Sequence, residues 1–206
     1  MTDTHATGRT APQDQSAPSP LGWATVDTPD GPFTALFDDD GVVFASGWVD
    51  DGEYLRALIH PSLRPSTLVE RPGGEVAAAV KAYYDGDHSA PARIEVRQRS
   101  GPFLQSAWAA LRTVPAGPPV TYSELAELAG NAAAIRAAAA CCAQNAAALF
   151  VPCHRVVRSD GTLGGFRYGL DIKEALIDRE STVDRESTAD ESSDSGLSEA
   201  GSTMGA

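Results

Sequence analysis

The sequence predicts an α/β protein of the α+β kind, with a small N-terminal antiparallel-sheet domain that carries helices and a mainly helical, winged-helix-like C-terminal domain with a helix-turn-helix. The first half of the chain consists of short apolar runs separated by turn residues, which is typical of antiparallel strands. The second half has apolar residues at helical spacing between Pro and Gly breakers. At 206 residues, the chain is long enough for one large domain or two small ones.

Domain boundaries are placed where the composition changes. Residues 1–20 are rich in Thr, Ser, Pro, Gln and Asp and are predicted to be a disordered tail. Residues 21–100 are assigned to the N-terminal α/β domain and residues 101–180 to the C-terminal domain. Residues 181–206 consist mainly of Ser, Thr, Gly and acidic residues and are predicted to be a disordered acidic tail.

In the N-terminal domain, the first predicted element is a three-stranded antiparallel meander. Its strands are separated by turns rich in Asp, Gly and Pro and comprise residues 23–28, 33–37 and 42–48. Two helices are predicted at residues 52–59 and 74–84, and a further strand at residues 94–97. His60 and His88 lie in loop-like contexts with no second ligand at metal-binding spacing, so no metal site is predicted.

The C-terminal domain begins with a predicted helix after Pro102. Its apolar face repeats at helical spacing and comprises Phe103, Ala107, Trp108, Leu111 and Val114. Thr121 and Glu124 then form a capping-box pattern, which indicates the start of a short helix. Gly130 is placed as the C-terminal stop of that helix.

A second helix, residues 132–144, is predicted with Asn131 as its N-cap, and two helices joined by a Gly-containing turn predict a helix-turn-helix. This helix consists almost entirely of small residues and has a single charge, Arg136. Small side chains allow close approach to a neighbouring helix or to a nucleic-acid groove, and both interpretations of the alanines stay open. Arg136 itself is expected to be exposed. A last helix is predicted at residues 171–180, with Asp171 as its N-cap.

The segment 151–156 (Val-Pro-Cys-His-Arg-Val) places a nucleophile, Cys153, directly beside a titratable residue, His154. A thiol with a reference pKa of ~8.5 is mostly protonated at neutral pH, so a reactive Cys needs surroundings that favour the thiolate. Pro152 is expected to hold the segment extended. Because neighbouring side chains of a strand point to opposite faces, His154 then needs a water or a bend to reach the sulfur. The alternative is a buried structural Cys beside a surface His.

Together with residues 157–161 and the Gly-Gly-Phe-Arg-Tyr-Gly-Leu run of residues 164–170, this motif resembles the active-site segment of the methylated-DNA–protein-cysteine methyltransferases, also called O6-alkylguanine-DNA alkyltransferases. Tyr122, Arg136 and Asn145 precede the motif at the spacings of that family. The resemblance implies DNA repair by direct reversal, in which an alkyl group is transferred irreversibly and stoichiometrically from O6-alkylguanine to one cysteine of the protein.

The resemblance also implies roles for individual residues. Cys153 would be the alkyl acceptor, and His154, polarised by Glu180, would take the thiol proton through a water. Tyr122 would donate to the guanine ring as a general acid, and Asn145 completes the catalytic set. No metal or organic cofactor is implied.

The implied partner is double-stranded DNA that contains O6-alkylguanine, from which the damaged base must be flipped. Arg136 would take the place of the flipped base, and Ala134 and Ala137 of the same helix would contact the minor groove. Val156 and Cys153 would line the substrate pocket and hold the base edge through their main-chain groups. The chain is expected to act as a monomer.

A few positions depart from the family's pattern. Ala138, Ala139 and Ala146 stand where the family commonly has Val, Gly and Pro, and residues 166–168 differ from several members. Because residues 166–168 border the pocket, the size of the accepted alkyl group stays open. Activity on O4-alkylthymine stays open as well.

The net charge of −12 is unusual for a DNA-binding protein, but the acidity lies mainly outside the segment with the motif. The charge is −6 over residues 21–100, 0 over residues 101–180 and −5 over residues 181–206. A modest basic face is compatible with this distribution, whereas strong phosphate-driven affinity is not predicted.

The sequence shows no apolar run near the length of a membrane span and no basic-apolar leader, so we expect a soluble, cytoplasmic protein without membrane contact. Cys141, Cys142 and Cys153 form an odd count without the spacing of a disulfide framework. This favours free thiols in a reducing compartment.

Two other functions remain as alternatives. The first is a non-catalytic module that binds alkylated bases and recruits another repair pathway. Family members of that kind lack the acceptor Cys, whereas Cys153 is present. The second is a cysteine hydrolase, which would need a separate orienting Asn and a distant base His, and neither is apparent.

Overall fold

The structure of the protein is a computed structural model that describes residues 20–181. The two predicted tails, residues 1–20 and 181–206, therefore lie outside the described residues except for Pro20 and Ser181.

The N-terminal half is built on the predicted antiparallel meander. Its strands are β1 (Leu21–Thr28), β2 (Gly31–Phe37) and β3 (Val43–Gly47). A fourth strand, β4 (Leu68–Glu70), lies parallel to β1, so that the order across the sheet is β3-β2-β1-β4. The sequence analysis missed β4 because its three residues are half-buried or exposed and too few to show an alternation.

The strand predicted at residues 94–97 is wrong. Val96 forms only an isolated bridge to Val43. Val43 N donates to the Glu95 carbonyl at 2.9 Å, and Arg97 N donates to the Val43 carbonyl at 2.8 Å. Because the pairing extends over a single residue, this segment contacts the start of β3 without joining the sheet as a strand.

Helices α1 (Gly52–Leu58) and α2 (Gly74–Tyr84) confirm the two helices predicted for the N-terminal half. Asp51 caps α1 by accepting a hydrogen bond from Tyr54 N at 3.0 Å. The buried face of α2 packs on β1 and β2 and consists of Val76, Ala79, Val80 and Tyr83.

The C-terminal half is mainly helical, as predicted. Its helices are α3 (Pro102–Leu111), α4 (Tyr122–Leu128), α5 (Ile135–Gln144) and α6 (Leu170–Ser181). Two short strands, β5 (Val120–Thr121) and β6 (Val156–Val157), pair in parallel. α6 begins one residue before Asp171, so this residue lies in the first turn and is not the predicted N-cap.

Helices α4 and α5 form the predicted helix-turn-helix. The capping box is present, because Thr121 Oγ1 accepts from Glu124 N at 3.2 Å and the Glu124 carboxylate accepts from Thr121 N at 2.6 Å. Gly130, the predicted stop of α4, adopts a φ of 88°, which suits a residue without a side chain.

The start of α5 differs from the prediction. The helix begins at Ile135, three residues after the predicted Ala132. Asn131 closes a turn instead of capping the helix: its Oδ1 accepts from Ala133 N at 3.2 Å, and its carbonyl accepts from Ala134 N at 2.9 Å. Ala134 therefore precedes α5 rather than lying on it.

The two halves share one hydrophobic core. It draws side chains from the sheet and from both sets of helices, including Phe33, Val43, Tyr83, Trp108 and Leu176. β3 also hydrogen-bonds to the chain that leads into the motif, since Ser46 N donates to the Ala146 carbonyl at 2.8 Å and Ala148 N to the Ser46 carbonyl at 3.2 Å. The N-terminal sheet thus fixes the approach to Cys153.

Candidate active site

The motif segment does not form an extended strand. Cys153–Arg155 is one turn of 3-10 helix, in which Arg155 N donates to the Pro152 carbonyl at 3.0 Å. Pro152 has the expected φ of −80°, but its ψ of 65° turns the chain. The expected extended conformation is therefore wrong, and the chain bends where Cys153 and His154 lie side by side.

Cys153 is held in a nearly closed environment. Its side chain is 7% exposed, and Sγ accepts a hydrogen bond from Asn145 Nδ2 at 3.2 Å. Burial, assisted by the neighbouring Cys142, raises the pKa of Cys153 to about 12, although Asn145 and Lys173 oppose the rise. The expectation that the surroundings favour the thiolate is not met in this structure. Cys153 is a thiol at neutral pH, so its proton must leave during any reaction.

Asn145, at the end of α5, is fixed by bonds on both sides of its amide. Nδ2 also donates to the Val151 carbonyl at 2.8 Å, while Oδ1 accepts from Ala147 N at 3.1 Å and from Gln98 Nε2 at 3.0 Å. Gln98, which the sequence analysis missed, lies in the linker before α3. Because each amide atom of Asn145 has a partner, its orientation toward the sulfur of Cys153 is set before any substrate arrives.

His154 and Glu180 meet as the family resemblance implied. His154 is fully buried, and its Nε2 lies 2.9 Å from Glu180 Oε1. Burial lowers the pKa of His154 below its usual value, although Glu180 opposes the fall. The ring is therefore neutral at pH 7, with Nε2 donating to the carboxylate and Nδ1 left as an acceptor. Within residues 20–181, Nδ1 has no hydrogen-bonding partner.

The Glu180 carboxylate is the centre of a buried network. Arg155 donates to Oε2 through Nε at 2.8 Å and to Oε1 through Nη2 at 2.9 Å, and the Tyr83 hydroxyl donates to Oε1 at 2.9 Å. Burial raises the pKa of Glu180, but the hydrogen bonds from His154 and Arg155 and the charge of Arg155 lower it to about 2. Glu180 is therefore ionised throughout the neutral range.

Sequence reasoning missed Arg155 and Tyr83 as members of this network. Arg155 also donates to the carbonyls of Val114 at 2.6 Å and His88 at 3.3 Å, so that one guanidinium joins α6 to two loops. The place of Arg155 within the motif could have identified it from the sequence. Nothing in the sequence singles out Tyr83, because a Tyr on the apolar face of α2 has the pattern of an ordinary core residue.

Lys173 is a third buried residue that the sequence analysis did not single out. Its ammonium donates to the Val156 carbonyl at 2.6 Å and to the Leu163 carbonyl, which ties the loop after β6 to the motif. Val156 is fully buried, and its N–H donates to the Cys153 carbonyl. The predicted contact of its main chain with a base edge would have to share or displace these bonds.

A cleft of about 480 Å³ opens beside this network. It is lined by α5, the start of α4 and the loop after β6, through Tyr122, Ala139, Cys142, Ala143, Arg158, Gly164, Gly165 and Arg167. The Tyr122 hydroxyl lies against Gly164, where a Cβ would come within 2.7 Å of it. Burial raises the pKa of Tyr122, so its hydroxyl is a proton donor at neutral pH. Cys153 does not line the cleft itself, but it lies close enough to Tyr122 that the charge of its thiolate form raises the pKa of the phenol.

Helix α5 has a buried face and an open face. Ala138 and Cys141 are fully buried, and the Cys141 carbonyl accepts from Trp108 Nε1 at 3.0 Å. On the other face Arg136 is exposed, as predicted, and Ala137 is half-buried. The buried face confirms close packing for part of the alanines, whereas contact of the open face with a nucleic-acid groove stays a prediction.

Aromatic residues anchor the loop that walls the cleft. The rings of Phe166 and Tyr168 lie 5.9 Å and 5.6 Å from that of Trp48, and the Tyr168 hydroxyl donates to the Ser46 carbonyl at 3.0 Å. Gly47 makes this approach possible, since a Cβ there would lie 1.9 Å from the Tyr168 ring. Phe166 and Tyr168 thus flank Arg167, which lines the cleft, with two packed aromatic rings.

Over residues 20–181, no group of His, Cys, Asp and Glu side chains is arranged to hold a metal ion. None of the helices in this range combines the length and the apolar character needed to cross a bilayer. Its three cysteines, Cys141, Cys142 and Cys153, are free.

Comparison with known proteins points in one direction. Residues 102–182 match the family model "6-O-methylguanine DNA methyltransferase, DNA binding domain". The methylated-DNA–protein-cysteine methyltransferase of Shigella flexneri is 30% identical over 154 residues, which cover 73% of this chain and 90% of that protein. The protein of the same name from Methanosarcina acetivorans is 29% identical over 167 residues, covering 75% of this chain and 95% of that protein.

A stronger local similarity is to the bifunctional transcriptional activator/DNA repair enzyme Ada of Escherichia coli, with 46% identity over 89 residues. This match covers 43% of this chain but only 25% of Ada, so the chain spans about a quarter of that protein. Among solved structures, Mycobacterium tuberculosis OGT in complex with DNA superposes with a TM-score of 0.64 at 28% identity, covering 78% of this chain and 93% of that chain.

Proposed function

This chain belongs to the methylated-DNA–protein-cysteine methyltransferase family, and from that premise we propose that it repairs DNA by direct reversal. It takes a methyl or other alkyl group from O6-alkylguanine in double-stranded DNA and keeps it on Cys153. The observation that carries the proposal is a buried thiol that Asn145 fixes, next in sequence to the buried His154–Glu180 pair and within electrostatic range of the Tyr122 phenol that lines the cleft. A thioether has no leaving group that water displaces easily, so each chain acts once.

The substrate must leave the duplex to reach this thiol. The O6 atom of guanine lies inside the base stack, and enzymes that act on such atoms flip the nucleotide out. The open face of α5 offers small side chains for close approach to the minor groove, and Arg136 is exposed to fill the gap left by the base. Before its last residue, Gln144, the helix has no Asn or Gln side chain to read base edges in the major groove, which suits repair in any sequence.

The start of α5 at Ile135 refines which residues contact DNA. Ala137 and Arg136 lie in the first turn of the helix, whereas Ala134 lies in the turn before it. Ala134 therefore approaches the strand through the backbone of the turn rather than through a helical face. Ile135, which is 46% exposed, shares this open surface.

The transfer step needs a proton acceptor because Cys153 starts as a thiol. Sγ attacks the alkyl carbon, the S–C bond forms, and the bond between that carbon and O6 breaks. The thiol proton passes to Nδ1 of His154 through a water, and the resulting imidazolium is stabilised by the ionised Glu180 at 2.9 Å. Asn145 holds the sulfur in place and favours its negative charge as the proton leaves.

The departing guanine carries the electron pair of the broken bond and needs a proton of its own. The Tyr122 hydroxyl lines the cleft and is protonated at neutral pH, so it can donate to the guanine ring as the bond breaks. The proton on His154 later restores Tyr122 through solvent. The net change is one thiol and one alkylguanine converted to one thioether and one guanine, with no metal or organic cofactor.

Three further features are part of this proposal. The protein acts as a monomer, since the described residues provide both the groove-facing helix and the complete proton-transfer network. Its place of action is the cytoplasm, because the free thiols Cys141, Cys142 and Cys153 suit a reducing compartment. O4-alkylthymine is a second candidate substrate for the same thiol chemistry.

The test is to incubate the protein with duplex DNA that contains one O6-methylguanine and to weigh it by mass spectrometry. We expect one added methyl, located on Cys153 by peptide mapping, and unmodified guanine in the DNA. Unmodified protein that still shifts the lesion DNA would support the non-catalytic binding module instead. Turnover of an ester would support the hydrolase.

A further inference from the structure

Tyr83 connects the N-terminal half to the proton-transfer network. Its ring is fully buried on α2, and its hydroxyl donates to Glu180 Oε1 at 2.9 Å. The same oxygen lies 2.9 Å from His154 Nε2 and accepts from Arg155 Nη2 at 2.9 Å. The N-terminal half therefore hydrogen-bonds, through Tyr83, to the same Glu180 oxygen that pairs with His154.

Three donors on one carboxylate oxygen compete for its charge. A carboxylate supports an imidazolium in proportion to the negative charge that remains available to it, and every further donor withdraws part of that charge. The Tyr83 hydroxyl stays protonated and uncharged at neutral pH, since burial raises its pKa far above the usual value. It therefore donates a hydrogen bond to Glu180 over the whole neutral range. Its effect is to weaken Glu180 as the partner of His154.

We infer that Tyr83 is a positioning residue for alkyl transfer, which holds Glu180 Oε1 in register with His154 and sets how readily His154 accepts the thiol proton. The inference rests on the proposed function for its kinetic consequence. It assigns to the N-terminal half, for which the sequence indicated no functional residue, a direct influence on the chemistry.

The other charged groups around His154 do not replace this influence. Arg155 and Lys173 face it from its own segment and from α6, and both disfavour its protonated form, whereas Glu180 favours it. Tyr83 is the group from α2, and its ring lies edge-on to that of His154 with centroids 6.5 Å apart. The ring of His88 also lies next to that of Tyr83, with centroids 5.1 Å apart.

The experiment compares Tyr83→Phe with the parent in the full chain. The rate of methyl transfer to Cys153 from O6-methylguanine DNA is measured from pH 5 to pH 9. Without the hydroxyl, Glu180 supports the imidazolium better and His154 becomes protonated at higher pH. The acidic limb of the rate profile then moves up by about half a unit to one unit, a loss of about threefold to tenfold at pH values on that limb, with little change above pH 8.

Tyr84→Phe is the matched control. Tyr84 is the next residue on α2, and its hydroxyl donates to Asp30 and accepts from Trp48 Nε1, both at 2.8 Å, without touching Glu180. Its profile is expected to keep the acidic limb of the parent. A profile for Tyr83→Phe that coincides with the parent's, or that falls by one factor at every pH, would show a merely structural role and overturn the inference.

A second measurement separates this inference from the proposed function. The ring nitrogens of His154 are titrated by NMR in the parent and in Tyr83→Phe, without DNA. A rise of the His154 midpoint in the variant supports the inference even if no methyl is transferred, and an unchanged midpoint overturns it. Absence of transfer by the parent overturns the proposed function instead.

Discussion

Cys153 has two kinds of neighbouring region, which we call its closed side and its open side. On the closed side, His154, Glu180 and Arg155 are buried and joined by hydrogen bonds of 2.8–2.9 Å. On the open side, Tyr122 and the loop after β6 line a cleft of about 480 Å³. Under the proposed function, the groups that move protons are fixed before the base arrives, whereas the cleft leaves space for the base. Damaged bases differ in their alkyl groups but need the same proton transfer, so a rigid closed side and a spacious open side suit such substrates.

The largest effect is expected from removing the proposed acceptor sulfur. Cys153→Ala should lose methyl transfer completely, because nothing else receives the alkyl carbon, while the affinity for lesion DNA is preserved by the open side. Mass spectrometry and gel-shift titration measure the two properties. Cys141→Ala, a buried neighbour on α5, is the control and should still accept one methyl. Repair by Cys153→Ala at the parent rate would contradict the assignment.

The closed side is tested by Glu180→Gln. The substitution leaves the buried guanidinium of Arg155 without its counter-charge, which costs about 3 kcal/mol or more of stability for a buried pair. Urea denaturation measures this loss. Glu174→Gln on the exposed face of the same helix should change the midpoint little. Equal midpoints for the two variants would mean that the network does not stabilise the fold.

The open side is tested by Arg136→Ala. Transfer from duplex DNA should fall about tenfold or more, the equivalent of about 1.4 kcal/mol, because the flipped state loses the side chain that replaces the base. Transfer from a free O6-alkylguanine base should keep the parent rate, since no duplex must be opened. Arg93→Ala, an exposed residue of the N-terminal half, serves as the control. An equal loss of transfer rate with both substrates would show that Arg136 acts in the chemical step and not in base flipping.

The smallest effect concerns stability against pH. Burial lowers the pKa of both His154 and His88, so each binds fewer protons in the folded chain than in the unfolded chain. Their contribution to the free energy of unfolding is fully present above about pH 6.5, the pKa of His in the unfolded chain, and declines as the pH falls below it. We expect a lower urea midpoint at pH 5 than at pH 7, and a weaker dependence in His88→Leu. Glu180, with a pKa of about 2, adds a further loss only between about pH 4.5 and pH 2.

Much of the fold was predictable because local signals and tertiary structure agree. The meander, α1, α2 and the capping box at Thr121 each have a pattern within a few residues, and the structure confirms them. β4 has no such pattern, and the strand predicted at residues 94–97 is only a single bridge at Val96, since pairing in both places depends on contacts between distant segments. Asn131 had a pattern that fits two outcomes, a helix cap or a turn, and sequence alone did not separate them.

The candidate site shows the same division. His154 was found by its place beside Cys153 in the motif, and Asn145 and Glu180 were found through the family resemblance. Tyr83 and Gln98 were missed, because each reaches the site across the fold from the N-terminal half. The charge state of Cys153 was also missed, since the cost of burying a thiolate depends on a solvent exposure that no short segment encodes.

The protonated state of the acceptor sulfur affects how long the protein stays active before it binds damaged DNA. Under the proposed function each chain reacts once, so earlier oxidation of its acceptor sulfur would block repair, and peroxides and stray electrophiles attack thiolates far faster than thiols. Cys153 is only 7% exposed and retains its proton, so its sulfur reacts slowly with such agents. Each chain therefore keeps its acceptor thiol unmodified until it binds damaged DNA.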